Sequence, residues 1–184
     1  MRRGPPEPPP LIALTVRQPW AWAITHAGRR IENRDWRPPS ELAWQPLAIH
    51  AGRAWTRNEK LDAAALSSAL HGHMEVPLGA EGYVFGSIVA LAHVVGFVDL
   101  DPRTDRGVYS FISDSSHGPV AVGGRLTRRD IEAALSDRWW RGPCGWLLDD
   151  IRPLPHPVAS RGHEKLWVVP APEALAVAAQ VGLG

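Results

Sequence analysis

The stretch YVFGSIVALAHVVGFV, residues 83–98, is the longest apolar run in the chain. It falls short of the ~20 residues that a membrane helix needs. Its content is β-branched and aromatic, with glycine at 86 and 96. Such residues suit a pleated, buried surface, and glycine within a strand marks a bulge or bend. The run therefore reads as one long, bent, buried strand, with Ile88, Val89 and Leu91 in the core. Shorter apolar segments lie on both sides of it. LIALTV (11–16) and PLAIHA (46–51) read as strands upstream. Downstream, 144–151, 158–161 and 166–169 read as strands, with a turn at RPLP (152–155) and Gly162 joining the last two. Leu14, Ile49, Leu147, Leu148 and Val168 are expected to share the core.

Helices fill the connections. Gln18-Pro19 opens one after the first strand, with proline in the first turn, where a missing N–H costs nothing. Trp20, Ile24 and Ala27 fall on one face of it, and Gly28 ends it. Over 55–72 the residues Leu61, Ala65, Leu66 and Leu70 align on one side, with Gly72 as a cap. Residues 99–138 mix charges, glycine and turn signals around a short helix at 126–135, and read as a variable insertion. A small helix over 172–181 closes the chain. Strands without regular βαβ alternation argue against a doubly wound fold, and no GxGxxG or Walker-type loop is present. The expected fold is α+β, a small mixed β-barrel with surrounding helices. It occupies 11–184 as a single domain, after a disordered Pro-rich tail at 1–10 (MRRGPPEPPP).

Composition narrows the function. A chain of 184 residues, 45% hydrophobic and 21% charged, fits one soluble globular domain. Met1-Arg2-Arg3 leads into prolines rather than an apolar signal region, so a cytoplasmic protein with no membrane partner is expected. The single cysteine, Cys144, excludes an intramolecular disulfide framework and a Cys-rich metal site. The eight histidines show no HExxH spacing, no G-x-S-x-G elbow occurs, and neither metal nor cofactor is expected. A net charge of +1 says nothing by itself about nucleic acid. The kinds of residue say more: 18 of the 20 basic residues are Arg, and there are nine Trp. Guanidinium forks suit phosphates and bases, and indoles stack on flat ligands.

Three clusters concentrate these residues. The first runs from Gln18-Pro19-Trp20 to Arg29, Glu32, Arg34 and Trp36. There Glu32 could orient a guanidinium toward a phosphate or a base. In an extended segment Glu32, Arg34 and Trp36 share a face. The second is His50-Ala51-Gly52-Arg53 at a strand end, where glycine admits a close backbone approach and His and Arg can meet phosphate. The third is SRGHEK (160–165), a basic hairpin tip. Each also fits a plain structural role: an ion-pair cluster closing the barrel mouth, a satisfied histidine beside a turn, and a solvated hairpin. The candidate nucleic-acid contacts are Trp20, Arg29, Glu32, Arg34, Trp36, His50, Arg53, Arg161 and Lys165.

LTVRQPWAWAITHAGRRIENRDW (14–36) resembles the opening signature of the ASCH family, the activating signal cointegrator homology module of the PUA-like superfamily. The family pattern GxKxxExR appears here with Arg29 in place of its Lys and the glycine displaced to Gly28, while Glu32 and Arg34 match it. Gln18-Pro19-Trp20-Ala21, Trp36, AIHAGR, GSIVALAHVVGFV, GPCGWLLDDIRPL and GHEKLWVV resemble the cointegrator-like branch, in the same order. The resemblance implies a PUA-like β-barrel with a cleft between the barrel and its first helix. It also implies binding of RNA, single-stranded nucleic acid or a nucleotide-like ligand. An alternative that it implies is an enzyme on that cleft, a ribonuclease or a modified-nucleoside amidohydrolase acting on N4-acetylcytidine. The amidohydrolase branch carries Lys and Thr where this chain has Arg29 and Glu32. Arginine stays protonated and cannot act as a base, and a carboxylate is not a hydroxyl nucleophile.

Overall fold

The structure is a computed structural model, and it describes residues 9–43, 45–101, 106–110 and 139–182. Seven strands form one sheet: β1 (Ile12–Val16), β2 (Ile31–Arg34), β3 (Pro46–Ala51), β4 (Ser87–Asp101), β5 (Arg106–Ser110), β6 (Cys144–Ala159) and β7 (Leu166–Val168). Among the described residues the α-helices are α1 (Trp20–His26), α2 (Arg57–Ala69) and α3 (Ala171–Val181). The strand order is β2-β6-β4-β3-β1-β7, and β5 pairs with β4 beyond the stretch that pairs with β3. β1 and β3 run parallel, and the other paired strands are antiparallel. The sheet is curled. Although three strands separate β2 from β1 in this order, Arg34 Nη2 of β2 donates to the Thr15 carbonyl of β1 at 2.7 Å. The architecture is the expected α+β one, a mixed sheet wrapped toward a barrel.

β4 is the spine of the sheet, and the residues that make it so are those of the long apolar run. Its pairing with β6 shifts register at 88/90, 91/93 and 94/96, so the bending is spread over three places, one of them at Gly96. Extra residues on one strand bend it and increase its twist, which lets the sheet curl. Neighbouring residues Ile88 and Val89 are both buried because both sheet faces are covered. One face, with Leu14, Val16, Leu47, Ile49 and Ala90, fills the barrel interior around Trp146. On the other face Ala13, Ala48, Ile88 and Leu91 pack with Trp167 and with Val177 of α3.

The structure corrects several readings. Val168 is 57% exposed, while its neighbours Trp167 and Val169 are buried. Side chains alternate along a strand, so a one-residue error in phase turns a core position outward. The expected turn at 152–155 lies inside β6, which takes in residues 158 and 159 of the separate strand expected at 158–161, while 160 and 161 lie in no strand. Prolines are tolerated there because β2 pairs only with Cys144 to Leu147, leaving the rest of β6 open on that side. On α2 the buried residues are Glu59, Ala63 and Leu66, whereas Leu61 is 58% exposed and Ala65 is also exposed. The helix expected at 126–135, most of the insertion, and residues 1–8 of the tail lie outside the described residues. Among the described residues no helix is long and apolar enough to cross a membrane.

Candidate nucleic-acid interface

The parallel pairing of β1 with β3 sets Thr15 beside His50 and brings both strand ends to one edge of the sheet. The end of β2 and the β6–β7 connection meet them there. Together they enclose a cleft of about 690 Å³, lined by Thr15, residues 34–36, His50, Gly52, Arg53 and residues 161–165. Four cationic side chains (Arg34, Arg53, Arg161 and Lys165) face two carboxylates, Asp35 and Glu164. A concave surface with excess positive charge concentrates anions more than the same charges would on a flat one. Trp36 lies in the same wall, half-buried, with its ring edge-on to the fully buried Trp146 at 4.6 Å. The Trp146 indole N–H donates to the Trp36 carbonyl at 2.9 Å, which fixes the backbone of that wall.

Thr15 and His50 form the floor. The Thr15 hydroxyl donates to the His163 carbonyl at 2.7 Å and accepts from the Trp167 indole N–H at 3.1 Å. His50 Nε2 lies 3.1 Å from the Ser160 carbonyl, which can only accept, so Nε2 carries the proton. Burial lowers the pKa of His50 below its ordinary 6.5; the Ser160 hydrogen bond opposes this, and the charges of Arg53 and His163 add to it. His50 is thus a neutral, buried anchor for the connection at 160–163. Gly162 closes against it. A Cβ at Gly162 would overlap His50 Cε1 and stand 3.1 Å from Thr15 Oγ1. Only a residue without a side chain lets the basic tip lie this close to the floor.

Behind the cleft wall runs an ion chain. Glu32 Oε2 pairs with Arg29 Nη2 and Glu32 Oε1 with Arg34 Nη2, each at 3.1 Å. Arg29 and Glu32 are only 3% and 5% exposed. The Arg29 guanidinium also lies over the Trp20 ring, 4.8 Å from its centroid. The Trp20 indole N–H donates to Asp62 of α2 at 3.2 Å. Buried charge is costly unless paired, and here each charge has an opposite neighbour.

Of the nine candidate contacts, the structure brings six into one cleft: Arg34, Trp36, His50, Arg53, Arg161 and Lys165. Trp20, Arg29 and Glu32 do not line it; Glu32 pairs with Arg34, Arg29 pairs with Glu32, and Trp20 lies under Arg29. No residue of α1 lines this cleft. Thr15 escaped the sequence reading. An isolated threonine in an apolar strand carries no motif, and only its register opposite His50 reveals it.

No family model matches the chain, and no curated protein matches it. Among solved structures, the chain is similar to the crystal structure of ASCH from Zymomonas mobilis. That likeness has 16% sequence identity and a TM-score of 0.44, and covers 91% of this chain and 93% of the other. It is similar also to a serine-to-alanine mutant of the same Zymomonas mobilis protein, at 15% identity and a TM-score of 0.41, covering 91% and 94%.

Proposed function

We propose that the cleft binds one nucleotide unit of RNA or of another single-stranded nucleic acid. The observation that carries this reading is the convergence of Arg34, Arg53, Arg161 and Lys165, from three separate segments, beside the half-buried ring of Trp36. Guanidinium and ammonium groups meet phosphate oxygens, and an indole supplies a flat apolar face for a base. The ASCH-like signature agrees with it, because Glu32 and Arg34 of that signature set one of the four cations in the cleft wall.

The test is titration of a labelled RNA oligonucleotide at two salt concentrations. Affinity should fall as salt rises, with a slope of about −0.7 per phosphate neutralised. Arg53→Ala and Arg161→Ala should each reduce that slope by about one phosphate's worth. Absence of binding at low salt would overturn the proposal. Chromatography of the same RNA after incubation reports on the enzymatic alternative: intact RNA is expected.

A further inference from the structure

Beside the cleft stands an aromatic cluster that does not line it. The Arg53 side chain leaves the cleft rim across Gly86; a Cβ there would be 2.5 Å from Arg53 Nε. The next residue along is Phe85, whose ring centroid is 5.9 Å from that of Trp55. Trp55 lies 5.0 Å from Tyr83, and Tyr83 lies 6.3 Å from Trp22. Trp22 stacks on His26 at 5.2 Å with the planes 7° apart. Trp22, Trp55 and Phe85 are half-buried and His26 is exposed. Among the described residues Trp55 and Phe85 belong to none of the three buried clusters, whereas Trp22 packs against one of them.

The cluster is held in place from beneath. Tyr83 is buried, its hydroxyl donates to the Pro77 carbonyl, and burial pushes its pKa up to about 12. Gln18 is buried too; its amide donates to the Val84 carbonyl at 2.7 Å and accepts from the Trp22 N–H at 3.0 Å. The QPW segment thus ties the loop at 83–85 to α1. Between Phe85, Trp55, Tyr83 and Trp22 the rings meet edge-on or tilted, at 73°, 41° and 86°, rather than face to face, so the half-buried rings of Phe85, Trp55 and Trp22 keep part of their surface open. Aromatic surface of this kind, starting at an arginine of the cleft, suits the bases of a single strand. A protein partner would be an equally apolar occupant, but it would not call for the cation at the head of the row.

We propose that Phe85, Trp55, Trp22 and His26 form a stacking track that receives the bases flanking the nucleotide held in the cleft. The proposal rests on the nucleotide-binding reading of the cleft and extends it to a strand several nucleotides long.

The experiment compares three probes at one salt concentration: a uridine dinucleotide, an octauridylate, and an octamer with the same phosphates but abasic at the flanking positions. Octauridylate should bind at least about tenfold tighter than the dinucleotide, and the abasic octamer should lose most of that gain. In Trp55→Ala the ratio of dinucleotide to octamer Kd should collapse by about fivefold or more, with Trp55→Phe restoring it. His26→Ala, at an exposed position, should reduce the same ratio and guards against a Trp55 variant that fails to fold. An abasic octamer as tight as octauridylate, or an unchanged ratio in both alanine variants, would overturn the track while leaving the cleft reading intact. No binding of any probe would overturn both.

Discussion

Glu32 shows how a buried carboxylate can fix the charges around it without lining the cleft. Its two oxygens hold Arg29 and Arg34 at 3.1 Å from within the wall. Removing one partner of a buried pair leaves the others uncompensated, at a cost of about 3 kcal/mol. Glu32→Gln should therefore lower the melting temperature by roughly 6–12 °C in a chain of this length. It should also weaken RNA binding through the loosened Arg34. An unchanged melting temperature would show that the chain of charges is solvated. Gly162→Ala tests the floor. The added methyl group meets the rigid His50 ring, and overpacking of this kind costs about 1–3 kcal/mol. The variant should melt earlier and lose affinity, because the basic tip must lift off His50. His50 also sets a pH dependence. Its pKa is lowered on folding, so the unfolded chain takes up a proton near pH 6.5 that the folded chain refuses. Stability should fall as pH drops below about 6.5, until the folded imidazole is protonated as well. That part of the stability–pH profile should flatten in His50→Gln; an unchanged profile would refute the assignment.

Among the elements, α2 has the clearest local logic. Thr56 caps it: its hydroxyl accepts from the Asn58 N–H, while Glu59 accepts from the Thr56 N–H at 2.7 Å. Glu59 also accepts from the Thr56 hydroxyl and from Arg17 Nη1 at 2.9 Å, so the box is tied to the end of β1. The Thr56 hydroxyl is the main reason that the Glu59 carboxyl falls from 4.5 to about 2. A lowered carboxyl pKa means stability that is present in full above pH 4.5 and lost as pH falls toward 2. The interval corresponds to about 3 kcal/mol at most. Glu59→Gln should destabilise the protein at pH 7 and show a shallower acid limb in urea melts between about pH 5 and 2. Equal stability of the two proteins at pH 7 would refute this. β6 carries the opposite lesson. Its prolines signal a turn locally, yet the strand runs on because pairing with β4 and contact with α3 outweigh that preference.

For the molecule as a whole, the cleft exists because the sheet curls and because its outer face is sealed. α3 seals that face with Val177, which is fully buried against the cluster that holds Ala13, Ala48 and Trp167. Trp167 in turn donates to Thr15 and meets the His50 ring edge-on at 5.5 Å. Val177→Ala should cost about 2 kcal/mol, and it should loosen the cleft floor as well as the helix. Hydrogen exchange should show the Leu166–Val168 amides less protected; loss confined to α3 would show that the two are uncoupled. What the sequence alone determined were the features written in local chemistry. The long β-branched run became the spine strand, PLAIHA became its partner and the opening strand paired with PLAIHA in turn, Pro19 and Gly28 bound the first helix, and Arg34, Trp36, Arg53 and Arg161 came to line one cleft. What only tertiary structure decided were matters of phase and proximity. Whether Val168 or Trp167 faces inward depends on one residue of register. Whether a proline breaks a strand depends on which edge is open. Whether Arg29 or Arg34 meets the cleft depends on where the curl of seven strands brings β2 to β1, and no short stretch of sequence encodes a contact between segments that distant.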